Sequence, residues 1–233
     1  MKRWLMGFSV LAMMQFSAQA QTQAPPPPQQ PKQATTAPTY VPPLRGAPSR
    51  RVGGSTRSVG QAMPAISVIA PDHTGLTMSP QPVLYWYISK PTRVRLEITL
   101  IDESGVKPML ELPVDRVEGP AIHALDLSKH GIRLQPGVEY QWTVALVPDA
   151  AERSGDVVSG GVIKLVEPPP VLGKTAGAPT PAALANAGLW YDAIHALSAQ
   201  IAAQPGNAEL RAQRAALAEQ AGLGTVAEFD RGR

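Results

Sequence analysis

Histidine, serine and carboxylate side chains are the groups in this chain that could support metal, acid–base or nucleophilic chemistry, and their spacing favours none of it. The chain has no cysteine and four histidines, His73, His123, His130 and His195. No two histidines are four residues apart with a glutamate between them, the spacing that presents two imidazoles to zinc from one helix. We therefore predict no metal site, and no motif indicates a cofactor.

One short motif, Arg153-Ser154-Gly155-Asp156, sets a hydroxyl beside a carboxylate. A nucleophilic serine needs a base that is oriented by a third group, and no histidine lies near this motif in the sequence. A turn before a strand explains the motif better, so a hydrolase or inhibitor is the least favoured function. We expect no catalytic residues and a protein that is not an enzyme.

Basic residues precede an acidic body. Residues 21–64 carry no acid, whereas residues 65–233 carry 14 basic and 18 acidic residues. The basic residues of the first segment are Lys32, Arg45, Arg50, Arg51 and Arg57. This arm is expected to fold back on the body, or else to bind a membrane surface or an anionic envelope polymer. Nucleic acid is not an expected partner, because Tyr40 is the arm's only aromatic residue.

The first 20 residues have the three parts of a secretory signal. Lys2 and Arg3 precede an apolar run over 4–16, and Ala18-Gln19-Ala20 is an A-x-A cleavage site. The run is shorter than the ~20 residues of a membrane-spanning helix. We expect cleavage after Ala20 and an exported chain, periplasmic or secreted, with no transmembrane span and no disulfide.

Proline divides the rest of the chain into segments. Residues 21–43 are rich in proline and glutamine and predict a disordered linker. Residues 44–64 form a basic Arg/Gly segment. A second proline-rich linker is expected over 167–180, and residues 223–233 are expected as a tail.

Residues 65–166 predict a mainly β fold. A turn at Pro136-Gly137 leads into a strand in which Tyr140 and Trp142 share one face, the pattern of a tyrosine corner in a β-sandwich. Strands separated by frequent turns favour an immunoglobulin or fibronectin type III sandwich. The expected strands are Ile66–Ala70, Val83–Ile88, Arg93–Ile101, Met109–Val114, Ile122–Leu127, Glu139–Val147 and Val157–Val166, the last with a bulge at Gly160-Gly161.

Aromatic residues of this region fall into two groups. Trp86, Tyr140 and Trp142 are expected in the core, with the Tyr140 hydroxyl tied to the backbone. Tyr85 and Tyr87 lie on the opposite face of their strand from Trp86. If these two rings are exposed, they would form a carbohydrate-binding platform with the Arg/Gly segment. If both are buried, a carbohydrate-binding function loses its support.

Residues 181–222 predict a helical hairpin broken at Pro205-Gly206-Asn207. The positions of Gly188, Trp190 and Tyr191 are similar to those of a tetratricopeptide unit, but a stable solenoid needs about three such units. The hairpin is therefore expected to dock on the sandwich or on another chain. A peptide-binding repeat is the alternative, with Trp190 and Tyr191 as candidate interaction residues.

These motifs together resemble the DUF928 proteins, an exported bacterial family of undefined function seen most often in cyanobacteria. The resemblance implies an Arg/Gly motif, a sandwich and a helical region in that order, and no established activity. Family members often carry cysteines, which this chain lacks. The matching segments are 42–48, 50–57, 70–72, 75–77, 82, 86–87, 134–142, 153–156 and 188–193.

The expected function is that of a non-catalytic cell-envelope protein that acts as a protein–protein interaction or structural module. Its expected partner is another envelope protein. A carbohydrate- or envelope-polymer-binding module is the alternative.

Overall fold

The structure is a computed structural model that describes residues 37–43, 63–174 and 177–233. The expected signal sequence with Ala18 and Ala20 lies outside the described residues. So does the Arg/Gly segment up to residue 62. The candidate interaction residues outside the described part of the chain are Arg45, Arg50, Arg51 and Arg57.

The fold is mainly β, with two sheets followed by four helices. In chain order the strands are β1 (Ile66–Val68), β2 (Gly75–Thr77), β3 (Val83–Ile88), β4 (Arg95–Asp102), β5 (Leu110–Val114), β6 (Ala121–Asp126), β7 (Glu139–Val147) and β8 (Val157–Leu165). One sheet has the order β1-β3-β6, and the other has the order β2-β8-β7-β4-β5. All pairs are antiparallel except β2 with β8.

All seven predicted strands are present, but the sequence analysis missed β2. This strand has three residues and contains a glycine, so it carries almost no alternation. The predicted bulge at Gly160-Gly161 was wrong, because both residues keep a regular register with β7. The glycines serve close packing instead: a Cβ on Gly161 would overlap the Cβ of Ala70.

The predicted core residues are buried. Trp86 and Tyr140 are almost fully enclosed, and Trp142 has no exposed surface. The hydroxyl of Tyr140 accepts a hydrogen bond of 2.9 Å from the backbone N–H of Gln135. This bond confirms the predicted tie between the corner strand β7 and the chain five residues earlier.

The C-terminal region has four helices rather than one hairpin. They are α1 (Pro181–Asn186), α2 (Trp190–Ala203), α3 (Ala208–Gln220) and α4 (Gly224–Arg231). The predicted tail at 223–233 was wrong, because it forms α4 and buries Val226 and Ala227. This helix has only eight residues, and its stability comes from packing on α3 rather than from a long periodic pattern. No helix in the described ranges is long and apolar enough to cross a membrane.

The end of the predicted disordered linker is ordered. Residues 37–43, here called the strap, have no regular secondary structure, and Pro38 and Tyr40 are buried. The backbone N–H of Val41 donates to the carbonyl of Ala185 over 3.1 Å. Gln220 binds the strap twice, accepting from the Tyr40 N–H and donating to the Pro38 carbonyl. The composition of residues 21–43 does not reveal this order, because a single buried ring, that of Tyr40, is enough to anchor so short a segment.

Candidate interaction site

The helices dock on the sheets through two aromatic residues at the start of α2. The indole nitrogen of Trp190 donates to the Ile69 carbonyl over 3.0 Å. The Tyr191 hydroxyl donates to the Val162 carbonyl over 3.1 Å and accepts from the indole nitrogen of Trp142 over 3.0 Å. Both side chains are buried. Trp190 and Tyr191, predicted as candidate interaction residues, therefore bind the chain's own sheets and do not line an exposed surface.

Two glycines make room for Tyr191. A Cβ on Gly75 would lie 2.6 Å from Cε2 of the Tyr191 ring, which is a severe overlap. A Cβ on Gly161 would lie 3.6 Å from the Tyr191 hydroxyl as well as overlapping Ala70. Gly75 of β2 and Gly161 of β8 thus shape the socket in which the helical region sits.

Asp192 is a carboxylate held in the same joint. It accepts a hydrogen bond of 3.1 Å from the Met78 backbone N–H. Desolvation by burial raises the pKa of Asp192 to about 6, and the hydrogen bonds from Met78 and Thr77 oppose this shift. A cavity of about 50 Å³ beside it, lined also by Ser79 and His195, has room for little more than a water molecule.

The strap closes the joint from the other side. The Tyr40 hydroxyl lies 2.8 Å from Nε2 of His73, whose Nδ1 lies 3.0 Å from Asp72. The Tyr40 ring also packs edge-on against Trp190. Although this Asp–His–Tyr chain has the order of an acid–base relay, burial raises the pKa of Tyr40. That shift keeps the phenol neutral, so the chain of contacts positions the strap and does not generate a nucleophile.

Tyr85 and Tyr87 are covered by helices, which corrects the predicted platform. The Tyr85 hydroxyl lies 2.9 Å from Nδ1 of His195 on α2, and the Tyr87 ring packs against Phe229 on α4. Both rings are buried. β3 is thus enclosed on both faces, which the alternation within a single strand could not reveal.

The Arg153–Asp156 motif is an ion-pair clasp. Arg153 donates to Asp156 over 2.6 Å and to Glu97 on β4 over 2.8 Å. The Ser154 hydroxyl donates to Glu152, and no histidine in the described ranges bonds to it. The clasp fixes the turn between β7 and β8 against β4. No cluster of three potential metal ligands occurs in the part of the chain that the structure describes.

A groove of about 480 Å³ lies between β6 and the helices; we call it the β6 groove. Its floor is one face of β6 together with Tyr85 of β3. β6 is an edge strand, because among the described residues it pairs with β3 alone. Its walls come from α2, α4 and the first turns of α3 with the preceding loop. The lining residues that bear on its chemistry are Ile122, Ala124, Ala199, Arg211, Phe229 and Arg233.

The charge of the β6 groove is positive. Its one acid, Asp230, is fully engaged, because Arg214 donates to both of its oxygens over 2.8 and 2.7 Å. Arg211 and Arg233 bind carbonyl oxygens instead, those of Pro205 and Pro120. Neither has a carboxylate partner among the described residues. The groove therefore combines apolar walls with two cations that no acid neutralises.

Sequence reasoning missed this groove. Two of its residues were named from the sequence: Tyr85 as part of a carbohydrate-binding platform, and His195 among the histidines considered for a metal site. Arg211, Phe229 and Arg233 carry no local motif, since the groove exists only when α3 and α4 pack beside β6. The one available signal was the pair of arginines in α3, which a solvated helix face would explain equally.

Two sheets with a docked four-helix region thus define the class of protein. Residues 45–230 match the Domain of Unknown Function (DUF928). The chain belongs to the DUF928 family. The match confirms the resemblance and covers the sheets and the helices as one unit, from the Arg/Gly segment into α4. No curated protein matches the chain significantly.

Proposed function

We propose that this protein is an exported, non-catalytic component of the cell envelope that binds an extended segment of another envelope protein in the β6 groove. The observation that carries the proposal is an open strand edge beside an apolar groove. An extended peptide can add to such an edge through backbone hydrogen bonds while its side chains enter pockets. The helices cover part of the sheet face, and no second strand from the described ranges pairs with β6.

The edge strands β5 and β6 of the two sheets differ in proline content, which supports this assignment. β5, at one edge of the five-stranded sheet, contains Pro113, which cannot donate to an added strand. β6 has no proline within Ala121–Asp126, and its exposed positions include Ala124. Proline on one edge and its absence from the other is consistent with an edge kept open for a partner.

We also propose a specific type for the β-sheet region and for the helical region. The first, third and sixth strands share one sheet, and the corner tyrosine lies on β7, an arrangement that supports an immunoglobulin or fibronectin type III-like sandwich. Each helix packs against the next, α1 on α2, α2 on α3 and α3 on α4. Packing between sequence neighbours supports a tetratricopeptide-like helical array.

Export is supported by the sequence before residue 21. Its positive start, apolar run and Ala18-Gln19-Ala20 site are those of a cleaved signal. The mature chain would then be periplasmic or secreted.

Capture from envelope extract with groove-blocked variants tests the binding function. Ala199 on α2 is exposed and lines the groove, whereas Ala212 on α3 is exposed and is not among the groove residues. Mature protein should retain a partner that the Ala199→Trp variant loses and the Ala212→Trp variant keeps. Equal retention by all three would contradict a role for the groove.

Binding to an anionic envelope polymer or membrane is the second candidate, favoured by the acid-free charge of residues 21–64. Burial of Tyr85 and Tyr87 removes its aromatic platform. Replacing Arg45, Arg50, Arg51 and Arg57 together by glutamine would abolish polymer or vesicle binding if this candidate is correct. The same variant would leave capture of a protein partner unchanged if the groove is the site.

A further inference from the structure

We propose that the β6 groove selects peptide segments that carry a carboxylate, and that Arg211 is the residue that recognises it. This inference rests on the proposed function, since it names the chemistry of the segment bound there. The occupant is an extended stretch of a partner protein, with apolar side chains at alternate positions and an aspartate or glutamate among them.

The hydrogen bonding of Arg211 is the first observation. Its Nη1 donates to the Pro205 carbonyl, while its Nε is buried and has no hydrogen-bond partner among the described residues. A buried N–H without an acceptor has lost its hydrogen bond to water and gained none in return. A carboxylate can accept from two N–H groups of one guanidinium at once, which is the strongest pairing this side chain makes. Because Nε has almost no exposed surface, an incoming carboxylate would accept from the terminal nitrogens, of which Nη2 has no partner among the described residues. Arg211 would therefore gain a bond on binding without giving up an ion pair.

The neighbouring charges provide the second observation. Arg214 is buried and donates to Asp230 and to the Ser198 hydroxyl, so its charge is already compensated. Arg233 lies over the Phe229 ring at 4.8 Å, and its Nη2 donates to the Pro120 carbonyl. A ligand in the groove thus meets two cations that no side-chain carboxylate among the described residues compensates, so an incoming carboxylate is attracted and an incoming lysine is repelled.

The floor of the groove provides the apolar part of the recognition. Ile122 and Ala124 are paired with Tyr87 and Tyr85 in the register of β6 with β3 and share their face. Successive side chains of a strand point to opposite faces, so every second residue of a segment added beside β6 would point toward the groove. The predicted ligand therefore alternates, with its acid on the same face as its apolar residues.

Selection from a library of displayed nonapeptides on the mature chain tests this inference. Selected peptides should be enriched in aspartate or glutamate. The strongest binder is then synthesised together with its amide counterpart, in which the acid is replaced by asparagine or glutamine. The amide peptide should bind roughly tenfold more weakly, the loss that corresponds to about 1.4 kcal/mol.

Variants assign that preference to one residue. Arg211→Gln should bind the acidic peptide only as well as the wild type binds the amide peptide. Arg211→Lys, which keeps the charge but not the planar pair of donors, should be intermediate. Arg95→Gln is the matched control, because Arg95 is an exposed arginine on the five-stranded sheet, and it should change nothing. Circular dichroism of each variant verifies that the helices are retained.

The remaining outcomes distinguish failure of the carboxylate preference from failure of the proposed groove function. Peptides that Ala199→Trp blocks but that show no preference for an acid would overturn the inference and leave the proposed function standing. If the Arg211→Gln variant binds the acidic peptide as tightly as the wild type does, the inference is likewise overturned and the proposed function still stands. If the Ala199→Trp variant blocks none of the selected peptides, both the inference and the proposed function are wrong. Binding of phosphatidylglycerol vesicles through Arg211, with no acidic peptide bound, would also overturn the inference in favour of a membrane.

Discussion

The hydroxyl of Tyr191 lies 3.0 Å from the indole nitrogen of Trp142, and this bond joins helix α2 to the corner strand β7. Both side chains are buried, and the Tyr191 hydroxyl also donates to the Val162 carbonyl on β8. One phenolic oxygen therefore satisfies two buried polar groups from neighbouring strands. The β6 groove depends on this joint, because α2 forms one of its walls.

Removing that hydroxyl should be costly. Tyr191→Phe leaves the Trp142 N–H and the Val162 carbonyl without their partner, and each unsatisfied buried group costs roughly 1–3 kcal/mol. We expect the free energy of unfolding to fall by about 2–4 kcal/mol in urea titrations. Tyr85→Phe is the matched control, since the Tyr85 hydroxyl bonds to the exposed His195, and its loss should be smaller. A loss for Tyr191→Phe no larger than for the control would mean that the joint does not depend on this bond.

The glycine of β8 should not accept a methyl group. Gly161→Ala places a Cβ into that of Ala70 and close to the indole of Trp142, and the backbone cannot move without breaking the β7–β8 ladder. We expect destabilisation of about 2 kcal/mol or more, within the range of overpacked cores. Gly155→Ala meets nothing within 4 Å and should change stability by less than ~0.5 kcal/mol. Thermal unfolding of the two variants side by side makes the comparison, and equal melting temperatures would contradict it.

Asp192 should make stability depend on pH in the acid range. Its pKa is raised from 3.8 in the unfolded chain to about 6 in the folded protein, so the folded state holds the proton more tightly. The resulting stabilisation is complete below pH 4 and is lost as the pH rises through 6. From the shift, its size is at most about 3 kcal/mol.

The Asp192→Asn variant isolates this effect, because an amide stays neutral and still accepts from the Met78 N–H. Relative to wild type, it should be equally stable at pH 4 and more stable at pH 7.5, as measured by urea unfolding. Asp115→Asn, at an exposed position, should follow wild type at both values. If Asp192→Asn is the less stable protein at pH 7.5, the carboxylate is ionised and favourably bound, and the account of this site is wrong.

The buried ion pair should hold α4 in place. Asp230→Ala leaves the Arg214 guanidinium buried without its counter-charge, a change that typically costs 3–5 kcal/mol. We expect α4 to lose protection from hydrogen exchange and the β6 groove to lose a wall. Glu228→Ala, two residues earlier and exposed, is the control. Unchanged exchange in Gly224–Arg231 would show that packing on α3 alone fixes the helix.

The parts of this fold that can be predicted from the sequence are those whose pattern lies within a single strand or turn. Alternation located seven strands within a few residues, and the turn at Pro136-Gly137 identified Tyr140 as a corner residue with its bond to the backbone. Trp86 and Trp142 were placed correctly in the core because large rings on a regular strand face are seldom left in water.

The rest depends on contacts between distant segments. Tyr85 and Tyr87 follow the same alternation whether their face meets solvent or α2, so the pattern alone left their burial open. Tyr40 lies in a segment whose composition predicts disorder, yet its partners are His73 and Trp190. The β6 groove combines two strands with three helices, and no single segment encodes it.

Photo-crosslinking in the native envelope tests the central claim most directly. A benzophenone side chain placed at position 124 lies on the exposed floor of the β6 groove, and one at position 212 lies on α3 outside it. Irradiation of the full chain should yield an adduct with one protein from position 124 and none from position 212. No protein adduct at position 124, or the same adduct at equal yield from both positions, would contradict the groove as the binding site.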